Sequence, residues 1–264
     1  MNEDGWLPRG IDVVKPNVAR MYDYYLGGKD NYAADRAAAA KILEAAPFTP
    51  VLARENRRFL RRATRYLVST GIRQFLDIGT GLPTQANVHE VARLMAADSR
   101  VAYVDNDPVV VAHGRALTAT DASTLVLEHD LRDVGALLAD PALRTVIDLG
   151  EPVGLMMLSV LHCLHDDDGP YEAVAALRDA LAPGSHLVIS HITGDDELTA
   201  NSTAVYSDAN TGMIHRSRRR LLGFFDGWTP LEPGLVRLDE WRPDEMTPSI
   251  GAGGGYYLCG VGRR

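Results

Sequence analysis

Five short apolar runs, separated by segments of helical character, constrain the fold of this chain more than any other feature of its sequence. They are QFLDIGTG (74–81), VAYVDND (101–107), TLVLEHD (124–130), VGLMMLSVL (153–161) and HLVISHI (186–192). Segments 84–97 and 108–119 have helical patterns, and a further helical stretch runs from 194 to about 225. Strands that alternate with helices in this way form right-handed βαβ units and a parallel sheet. Two later candidate strands, at 228–238 and 256–262, are joined by a loop and predict an antiparallel pair at the sheet edge.

The first 70 residues are expected to form a helical cap ahead of the sheet. Residues 33–45 are alanine-rich and are followed by prolines, which end helices. Residues 54–71 place apolar side chains on one helical face and arginines on the other, so we expect the arginines to be solvated. The chain is therefore predicted to have a cap over 1–70 and a sheet domain over 71–264, which together form one integrated domain.

Composition and charge narrow the class of protein. Hydrophobic residues make up 46% of the 264, so a sizeable core can form without disulfides. The net charge of −8 argues against non-specific binding to nucleic acid or to an acidic membrane. Cys163 and Cys259 lie in apolar runs, which is typical of buried, reduced cysteines. The longest apolar run is far shorter than the roughly 20 residues of a membrane helix. No signal peptide is apparent. These features predict a reduced, cytoplasmic protein.

Polar residues gather where the predicted strands end, which is where open α/β sheets bind ligands. Gly79 and Gly81 allow a sharp turn and let a ligand approach the backbone. Asp105 follows the glycines by about the spacing at which an acid binds a ribose, and a carboxylate can accept hydrogen bonds from both hydroxyls of a diol. Asp130 can accept from an exocyclic amine. Together these residues predict an adenosine pocket.

The turn after the first strand favours S-adenosylmethionine over a dinucleotide. Thr84 stands at the third position of the dinucleotide fingerprint, where glycine or alanine is expected, and Pro83 removes an N–H that a pyrophosphate would use. Asp77 would oppose a diphosphate but attract a sulfonium and an ammonium. We therefore expect S-adenosylmethionine as the cofactor and keep an NAD-dependent oxidoreductase as the weaker alternative.

Several motifs give the chain a family resemblance. LDIGTG (76–81), VDNDP (104–108), LEHD (127–130) and LAPGSHLVIS (181–190) resemble, in this order, the successive motifs of class I S-adenosylmethionine-dependent methyltransferases. RMYDYYLGGKDNYAADR (20–36) and FFDGWTPLEPGLV (224–236) resemble an actinobacterial-type methyltransferase family of undefined substrate, whose members share an N-terminal Y-D-Y-x-L-G-G-K-D-N signature.

This resemblance implies a fold and a set of cofactor contacts. The fold is α/β and Rossmann-like, with a seven-stranded, mostly parallel sheet whose last strand is antiparallel, plus the N-terminal helical cap. The residues expected to bind the cofactor are Asp77, Gly79, Thr80, Gly81, Asp105, Asn106, Asp130, Leu131, Ser159, Tyr22 and Arg20.

The segment YDYYLGGKDNY (22–32) contains a Gly-Gly-Lys sequence but is not a phosphate-binding loop. Asp30 follows Lys29 where a metal-binding hydroxyl is required, and no apolar strand precedes the segment. The resemblance implies a lid or pocket wall, in which Lys29 or Arg20 meets the methionine carboxylate; simple packing of the tyrosines within the cap is the alternative. We keep both.

The end of the fourth strand bears on the chemistry. Its sequence, SVLHCLHDDDG (159–169), lacks the Asn/Asp-Pro-Pro-aromatic motif of methyltransferases that act on amide or base nitrogens. It resembles enzymes that methylate an oxygen or carbon of a small molecule. His162 and His191, and less so His165, are candidate general bases. No metal site is expected. A non-catalytic protein that binds or senses S-adenosylmethionine is the alternative.

Overall fold

A computed structural model describes residues 12–83, 86–118, 121–194, 213–251 and 255–264. Its described residues contain one eight-stranded sheet, with the strands in the order β3-β2-β1-β4-β5-β8-β6 and β7 also paired to β8. The strands are β1 Gln74–Ile78, β2 Arg100–Asp105, β3 Thr124–Glu128, β4 Val153–Leu158, β5 His186–Ile192, β6 Thr229–Pro230, β7 Val236–Arg237 and β8 Tyr257–Arg263.

The first five strands are parallel, as their apolar runs and helical spacers predict. β1 lies between β2 and β4, with Gln74 opposite Arg100 on one side and Val153 on the other. All five residues of β1 are buried, because helices cover both faces of the sheet. The carboxyl ends of β1 to β5 therefore meet at one edge.

The antiparallel end of the sheet is also confirmed, with one difference in detail. β8 pairs with β5 in antiparallel register, from His186 opposite Arg263 to Ile192 opposite Tyr257. The candidate strand 228–238 forms two short pieces, β6 and β7, because Pro230 and Pro233 lack the N–H that a continuous ladder requires. The predicted sixth strand is therefore split into two short strands, both of which pair with β8.

The helices agree with most of the predicted segments. They are α1 Val18–Leu26, α2 Ala33–Ala45, α3 Thr49–Ser69, α4 Val88–Arg93, α5 Pro108–Leu117, α6 Val134–Ala139, α7 Leu143–Val146, α8 Pro170–Ala180 and α9 Arg218–Leu222. α4 is shorter than the predicted 84–97; the Glu90 carboxylate accepts from Asn87 N at 2.8 Å and caps its start. Residues 84–85, and 195–212 of the predicted stretch 194–225, lie outside the described residues. None of the described helices combines the length and the apolar character that crossing a membrane requires.

The three N-terminal helices belong to two different cores. α1 and α2 share a small cluster that includes Met21, Tyr25 and Ile42. α3 packs directly on the sheet, where Phe59 and Leu67 join a cluster with sheet residues such as Phe75, Met156, Val188 and Cys259. α3 is therefore part of the sheet's covering layer, and α1 and α2 lie outside it.

The arginines of α3 do not all face solvent, contrary to the expectation for residues 54–71. Arg62 is only 6% exposed. Its guanidinium donates to Glu55 Oε1 at 2.8 Å, to Leu238 O at 2.5 Å and to Trp241 O at 3.1 Å. The helix is covered on this side by the segment before β8, so Arg62 is held by carbonyl oxygens that would otherwise be buried without donors. Arg57 also turns inward, toward the sheet edge.

The segment 22–32 forms a tight turn between α1 and α2. Gly27 ends α1 in the left-handed conformation, with φ of +83°. The buried Asp23 carboxylate accepts from Asp30 N and from Asn31 Nδ2, each at 2.9 Å. A Cβ at Gly28 would lie 1.9 Å from Asp23 Oδ1. The glycine pair and the aspartates thus shape this turn.

Candidate active site

A cleft of about 310 Å³ opens at the carboxyl ends of the parallel strands. Its floor is formed by the ends of β1 to β4, and α1 and α3 form the wall above them. The predicted residues that line it are Tyr22, Asp77, Gly79, Thr80, Gly81, Asp105, Asn106, Asp130, Leu131, Ser159 and His162. Arg20 and His191 are not among the lining residues. Sequence patterns from distant parts of the chain thus come together in one place.

The loop after β1 is held against β2 by backbone and carboxylate hydrogen bonds. Gly79 and Gly81 both adopt the left-handed conformation, with φ of +69° and +66°. Gly79 N donates to Val104 O at 2.8 Å, and a Cβ on Gly79 would overlap Val160. Gly81 N donates to Asp105 Oδ2 at 2.9 Å. The loop therefore requires glycine at Gly79 and places Asp105 beside the turn.

Asp105 is a buried acid at the end of β2. Besides Gly81 N, its carboxylate accepts from Asp107 N at 3.0 Å. Burial raises the pKa of Asp105, while these N–H groups act in the opposite direction. Asp107 accepts from Val109 N at 2.7 Å and caps the start of α5.

Asp77 is a second buried acid, at the end of β1. Burial raises its pKa to about 7; the charge of Arg57 and a 3.4 Å hydrogen bond from Thr80 Oγ1 oppose this shift, and the charge of Asp105 adds to it. Two acids on adjacent strands, of which one is only partly ionised at neutral pH, leave the cleft short of positive charge. A cationic ligand would supply it.

Arg57 is a cleft residue that the sequence analysis missed. Its guanidinium donates to Ala86 O at 3.1 Å and to Asn87 Oδ1 at 3.4 Å, and its charge acts on Asp77. The run of arginines in α3 hid this residue, because helical spacing alone does not separate the arginine that faces the cleft from its exposed neighbours.

Arg20, predicted to meet the cofactor, is instead used inside the cap. It is 3% exposed and pairs with the buried Asp35 through Nε and Oδ2 at 2.9 Å. Its Nη2 donates to Asp12 O at 3.2 Å and to Lys15 O at 2.7 Å. With its guanidinium bound in this way, Arg20 ties α1 to α2 and lies away from the cleft.

Asp130 and Asn106 lie at the far end of the cleft, after β3 and β2. Asn106 Nδ2 donates to Asp130 Oδ2 at 3.0 Å. Arg132 donates to both oxygens of the same carboxylate, at 2.9 Å and 2.5 Å. The Arg132 side-chain bond holds the pKa of Asp130 well below its usual range, so this acid is ionised at neutral pH. The side chain of Leu131, next to it, is buried.

The opposite end of the cleft, over β4, has a hydrogen-bonded inner wall. Asn56 Nδ2 donates to Ser159 Oγ at 2.7 Å and to Tyr22 Oη at 3.1 Å, and Tyr22 donates to Ala53 O at 3.0 Å. Ser159 Oγ is also hydrogen bonded to Tyr257 Oη. Ser159 has a φ of +60°, which costs energy for a residue with a Cβ.

Asn56 and Tyr257 were also missed by the sequence analysis. For Asn56 a signal existed: it precedes Phe59, Leu60 and Ala63 by three, four and seven residues, and so it shares their buried helical face. A polar side chain on such a face needs partners inside the protein. Tyr257 carried no comparable signal within its apolar strand.

The two candidate histidines occupy different environments. His162 lines the cleft, and burial, followed by the charges of His215 and Arg216, lowers its pKa to about 3. Its Nδ1 has no hydrogen-bond partner among the described residues. The ring is therefore neutral near pH 7.

His191 is fully buried behind His162, with both ring nitrogens engaged. Its Nε2 lies 3.0 Å from Arg216 Nη1, and its Nδ1 lies 2.6 Å from Ile192 O. Since arginine can only donate, His191 is neutral, with its proton on Nδ1. Burial lowers its pKa well below the ordinary value. This arrangement favours a structural role for His191 over that of a general base.

The first of the three acids that follow His165 pairs with two arginines. Asp166 Oδ1 lies 3.0 Å from Arg216 Nη2, and Asp166 Oδ2 contacts Arg220. No cluster of three histidine, cysteine or acidic side chains that could hold a metal occurs in the described part of the chain.

The donors and acceptors of the cleft fit an adenosine-linked cation. Asp105 offers a carboxylate suited to a ribose diol, and Asp77 offers a buried carboxyl whose ionisation a positive charge would favour. Gly81 has no heavy atom within 4 Å of a Cβ position, so the loop leaves open space beside it.

Comparisons with known proteins agree with this geometry. A family model described as S-adenosyl methyltransferase matches residues 4–264. A crystal structure from Thermobifida fusca YX, described as a candidate methyltransferase, is 40% identical, covers 98% of each chain and has a TM-score of 0.92. A protein of the DUF574 family from Streptomyces avermitilis is 37% identical, with 96% of this chain and 99% of that chain covered and a TM-score of 0.91.

A more distant structural match concerns the fold alone. The N-methyltransferase NodS of Bradyrhizobium japonicum, solved with S-adenosylhomocysteine, is 15% identical, with a TM-score of 0.52 over 87% of this chain and 97% of that chain. No curated protein matches the chain in sequence.

Proposed function

The chain belongs to the S-adenosyl methyltransferase family, and on that premise we propose that it transfers the methyl group of S-adenosylmethionine to an oxygen or carbon nucleophile of a small molecule. Family membership makes it an S-adenosylmethionine-dependent methyltransferase. This decides against the two alternatives drawn from the sequence, a non-catalytic protein that senses S-adenosylmethionine and an NAD-dependent oxidoreductase. The nucleophile and the acceptor are the proposal. The pair of buried acids, Asp77 and Asp105, at the ends of adjacent strands supports the cofactor's place in the cleft. The uncharged inner wall over β4, which includes His162 and Tyr257, supports an uncharged or readily ionised small-molecule acceptor.

The cofactor is proposed to lie along the carboxyl ends of β3, β2 and β1. Asp130, with Asn106 and Leu131, borders the adenine, and Asp105 accepts hydrogen bonds from the ribose hydroxyls. Gly79, Thr80 and Gly81 let the ligand approach the backbone. Asp77 faces the positive charges of the methionine end.

Arg57 takes the role that the sequence analysis gave to Arg20 or Lys29. It lines the cleft next to Asp77, whereas the guanidinium of Arg20 is bound within the cap and Lys29 is exposed. A guanidinium can bind both oxygens of a carboxylate. We expect Arg57 to bind the methionine carboxylate, with Tyr22 and Ser159 closing the same end of the site.

Methyl transfer in this cleft depends mainly on positioning. When bound, S-adenosylmethionine supplies a methyl group on a sulfonium, which is an activated donor. The inner wall of Tyr22, Ser159, Tyr257 and His162 fixes where the acceptor can lie, and holding it in line with the methyl lowers the entropic part of the barrier. With a pKa of about 3, His162 is a weak base, so an acceptor that ionises readily suits this wall better than a poorly acidic alcohol.

The role of Asp105 provides the test of this proposal. Asp105→Ala, stripped of carried-over ligand, should bind S-adenosylmethionine about 10- to 150-fold more weakly by calorimetry, because it loses charge-assisted hydrogen bonds worth about 1.5–3 kcal/mol. Glu128→Ala, which removes an exposed acid at the end of β3, is the matched control and should bind as the wild type does. Unchanged affinity in a folded Asp105→Ala protein would refute the assignment.

A further inference from the structure

Among the described residues that line the cleft, the acids and arginines all lie on one side. They are Arg57, Asp77, Asp105, Asp107, Asp130 and Arg132. The acids and Arg132 follow β1, β2 and β3, and Arg57 donates to Ala86 and Asn87, which also follow β1. This side of the cleft therefore suits the charged and polar groups of the cofactor.

The other side of the cleft has no acid, arginine or lysine among its described lining residues. It is bordered by the ends of β4 and β5, by the start of β8 and by the segment before α9. We call it the uncharged side, and its main residues are Leu158, His162, Cys163, Ile192, Met213 and Tyr257.

The titratable groups of the uncharged side are neutral near pH 7. Burial lowers the pKa of His162 to about 3, raises the pKa of Cys163 to about 12 and raises the pKa of Tyr257 well above its usual value. Arg216, behind His162, is fully buried and paired with Asp166, so its charge is not available to a ligand. A charged group bound on this side would lose its hydration without gaining an opposite charge.

Two aromatic rings of the uncharged side stand at right angles to each other. The ring centroids of His162 and Tyr257 are 6.1 Å apart, and the angle between the ring planes is 87°. A planar ring beside them can stack, offset, on one and meet the other edge-on, and both arrangements are preferred by aromatic pairs. Leu158 at the end of β4 and Ile192 at the end of β5 add apolar surface. A flat, uncharged ring therefore suits this side.

Met213 closes the uncharged side toward the N-terminal cap. It is half-buried and packs against both the cap cluster of Met21, Tyr25 and Ile42 and the sheet cluster that contains Phe75. Its thioether side chain is flexible and makes favourable contacts with aromatic rings. Met213 is therefore placed to touch a ligand on this side while taking no part in the proposed cofactor contacts.

We propose that the uncharged side binds an uncharged aromatic methyl acceptor and that Met213 helps to select it. This inference rests on the proposed function and deepens it by naming the class of acceptor and a specificity-determining residue. The cofactor, with its ammonium, sulfonium and carboxylate groups, occupies the side that carries charges. The aromatic ring occupies the other side, and its nucleophilic oxygen or carbon faces the sulfonium where the two sides meet.

Three probes of similar size separate charge from aromatic character. 2-Naphthol is an uncharged fused ring, 2-naphthoate has a carboxylate on the same ring, and decahydro-2-naphthol is the saturated, non-planar counterpart. Their dissociation constants are measured by ligand-observed NMR at pH 7 on wild-type protein saturated with S-adenosylhomocysteine. 2-Naphthol should bind more than about tenfold more tightly than 2-naphthoate, because the carboxylate would be buried without an opposite charge. It should bind about three- to tenfold more tightly than decahydro-2-naphthol, because its planar ring pairs with aromatic side chains.

Substitutions at Met213 test where the ring binds. Met213→Glu places a carboxylate on the uncharged side and should weaken 2-naphthol binding about tenfold, while affinity for S-adenosylhomocysteine stays within about twofold. Met246→Glu makes the same change at a methionine that is 78% exposed and outside the cleft, and this matched control should bind 2-naphthol as the wild type does. Met213→Leu keeps an apolar side chain of similar volume and should bind 2-naphthol within about threefold of the wild type, which covers the case in which the glutamate variant does not fold.

The outcomes separate this inference from the proposed function. Equal or tighter binding of 2-naphthoate or of decahydro-2-naphthol, or no binding of 2-naphthol, would overturn the inference while leaving cofactor binding intact. Displacement of S-adenosylhomocysteine by 2-naphthol, or 2-naphthol binding that Met213→Glu leaves unchanged, would place the ring elsewhere and would also overturn it. Failure of the wild type to bind S-adenosylhomocysteine would instead overturn the proposed function.

Discussion

At the scale of single residues, the cleft contains a buried acid whose charge the fold compensates only in part. Asp77 is 6% exposed, and its pKa of about 7 reflects burial that the charge of Arg57 does not fully offset. A carboxyl group whose pKa is higher in the folded than in the unfolded protein stabilises the folded state fully when the pH lies below the unfolded-state pKa. This stabilisation is lost as the pH rises through the folded-state pKa, which is about 7 for Asp77. The ionised carboxylate of Asp77 therefore destabilises the folded protein unless a cation binds beside it.

Binding of S-adenosylmethionine should consequently depend on pH through Asp77. The ionised fraction of a group with a pKa near 7 falls from about 0.9 at pH 8 to about 0.1 at pH 6, so affinity should fall about tenfold over this range. Calorimetry at both pH values measures this change. Asp77→Asn should bind more weakly at pH 8 and show a much smaller change with pH; a wild-type slope that persists in this variant would place the titrating group elsewhere.

At the scale of secondary-structure elements, α3 connects the cleft to the C-terminal part of the sheet. One turn of the helix carries Asn56 and Arg57 into the cleft, and a later turn buries Arg62 against Glu55 and the carbonyl groups of Leu238 and Trp241. The orientation of the cleft residues thus depends on how α3 is held against the segment before β8.

Replacing Arg62 should destabilise the protein strongly. Arg62→Met leaves the buried Glu55 paired, among the described residues, with the more exposed Arg58 at 3.1 Å, and leaves two carbonyl groups without this donor. A loss of about 3 kcal/mol in the free energy of unfolding is expected, measured by denaturant titration. Arg65→Met, on the same helix, removes only an exposed pair at 3.9 Å and should change stability by less than about 0.5 kcal/mol. Equal effects of the two variants would contradict the role given to Arg62.

The elements themselves were largely predictable, whereas several side-chain roles were not. β5 matches its predicted bounds at 186–192, because a buried parallel strand is a compact apolar run between turn residues. The inward turn of Arg57 and Arg62 depends on what lies across the helix, and local spacing carries no information about that. The ion pair that removes Arg20 from the cleft likewise joins residues 15 apart, through the packing of α1 on α2.

At the scale of the whole molecule, the cap and the sheet share one core through α3. Phe59 and Leu67 pack in the same cluster as Phe75 and Met156. Removing the first 70 residues would therefore expose one face of the sheet. We propose, as the sequence suggested, that 1–70 and 71–264 form one integrated domain.

The integrated domain should unfold in one step. Differential scanning calorimetry of the full chain should show a single transition with equal calorimetric and van't Hoff enthalpies. A fragment that starts at residue 71 should lack the cooperative transition, because it loses the α3 side of the core. Two separate transitions, or a stably folded fragment, would show that the cap and the sheet are independent.

A crystal structure of the complex with S-adenosylhomocysteine would test the proposed cofactor contacts. We predict that the ribose hydroxyls contact Asp105 and that the methionine carboxylate contacts Arg57. The space beside Asn56 and Tyr257 should remain open for an acceptor. A ribose placed away from Asp105, or a carboxylate placed away from Arg57, would contradict this assignment.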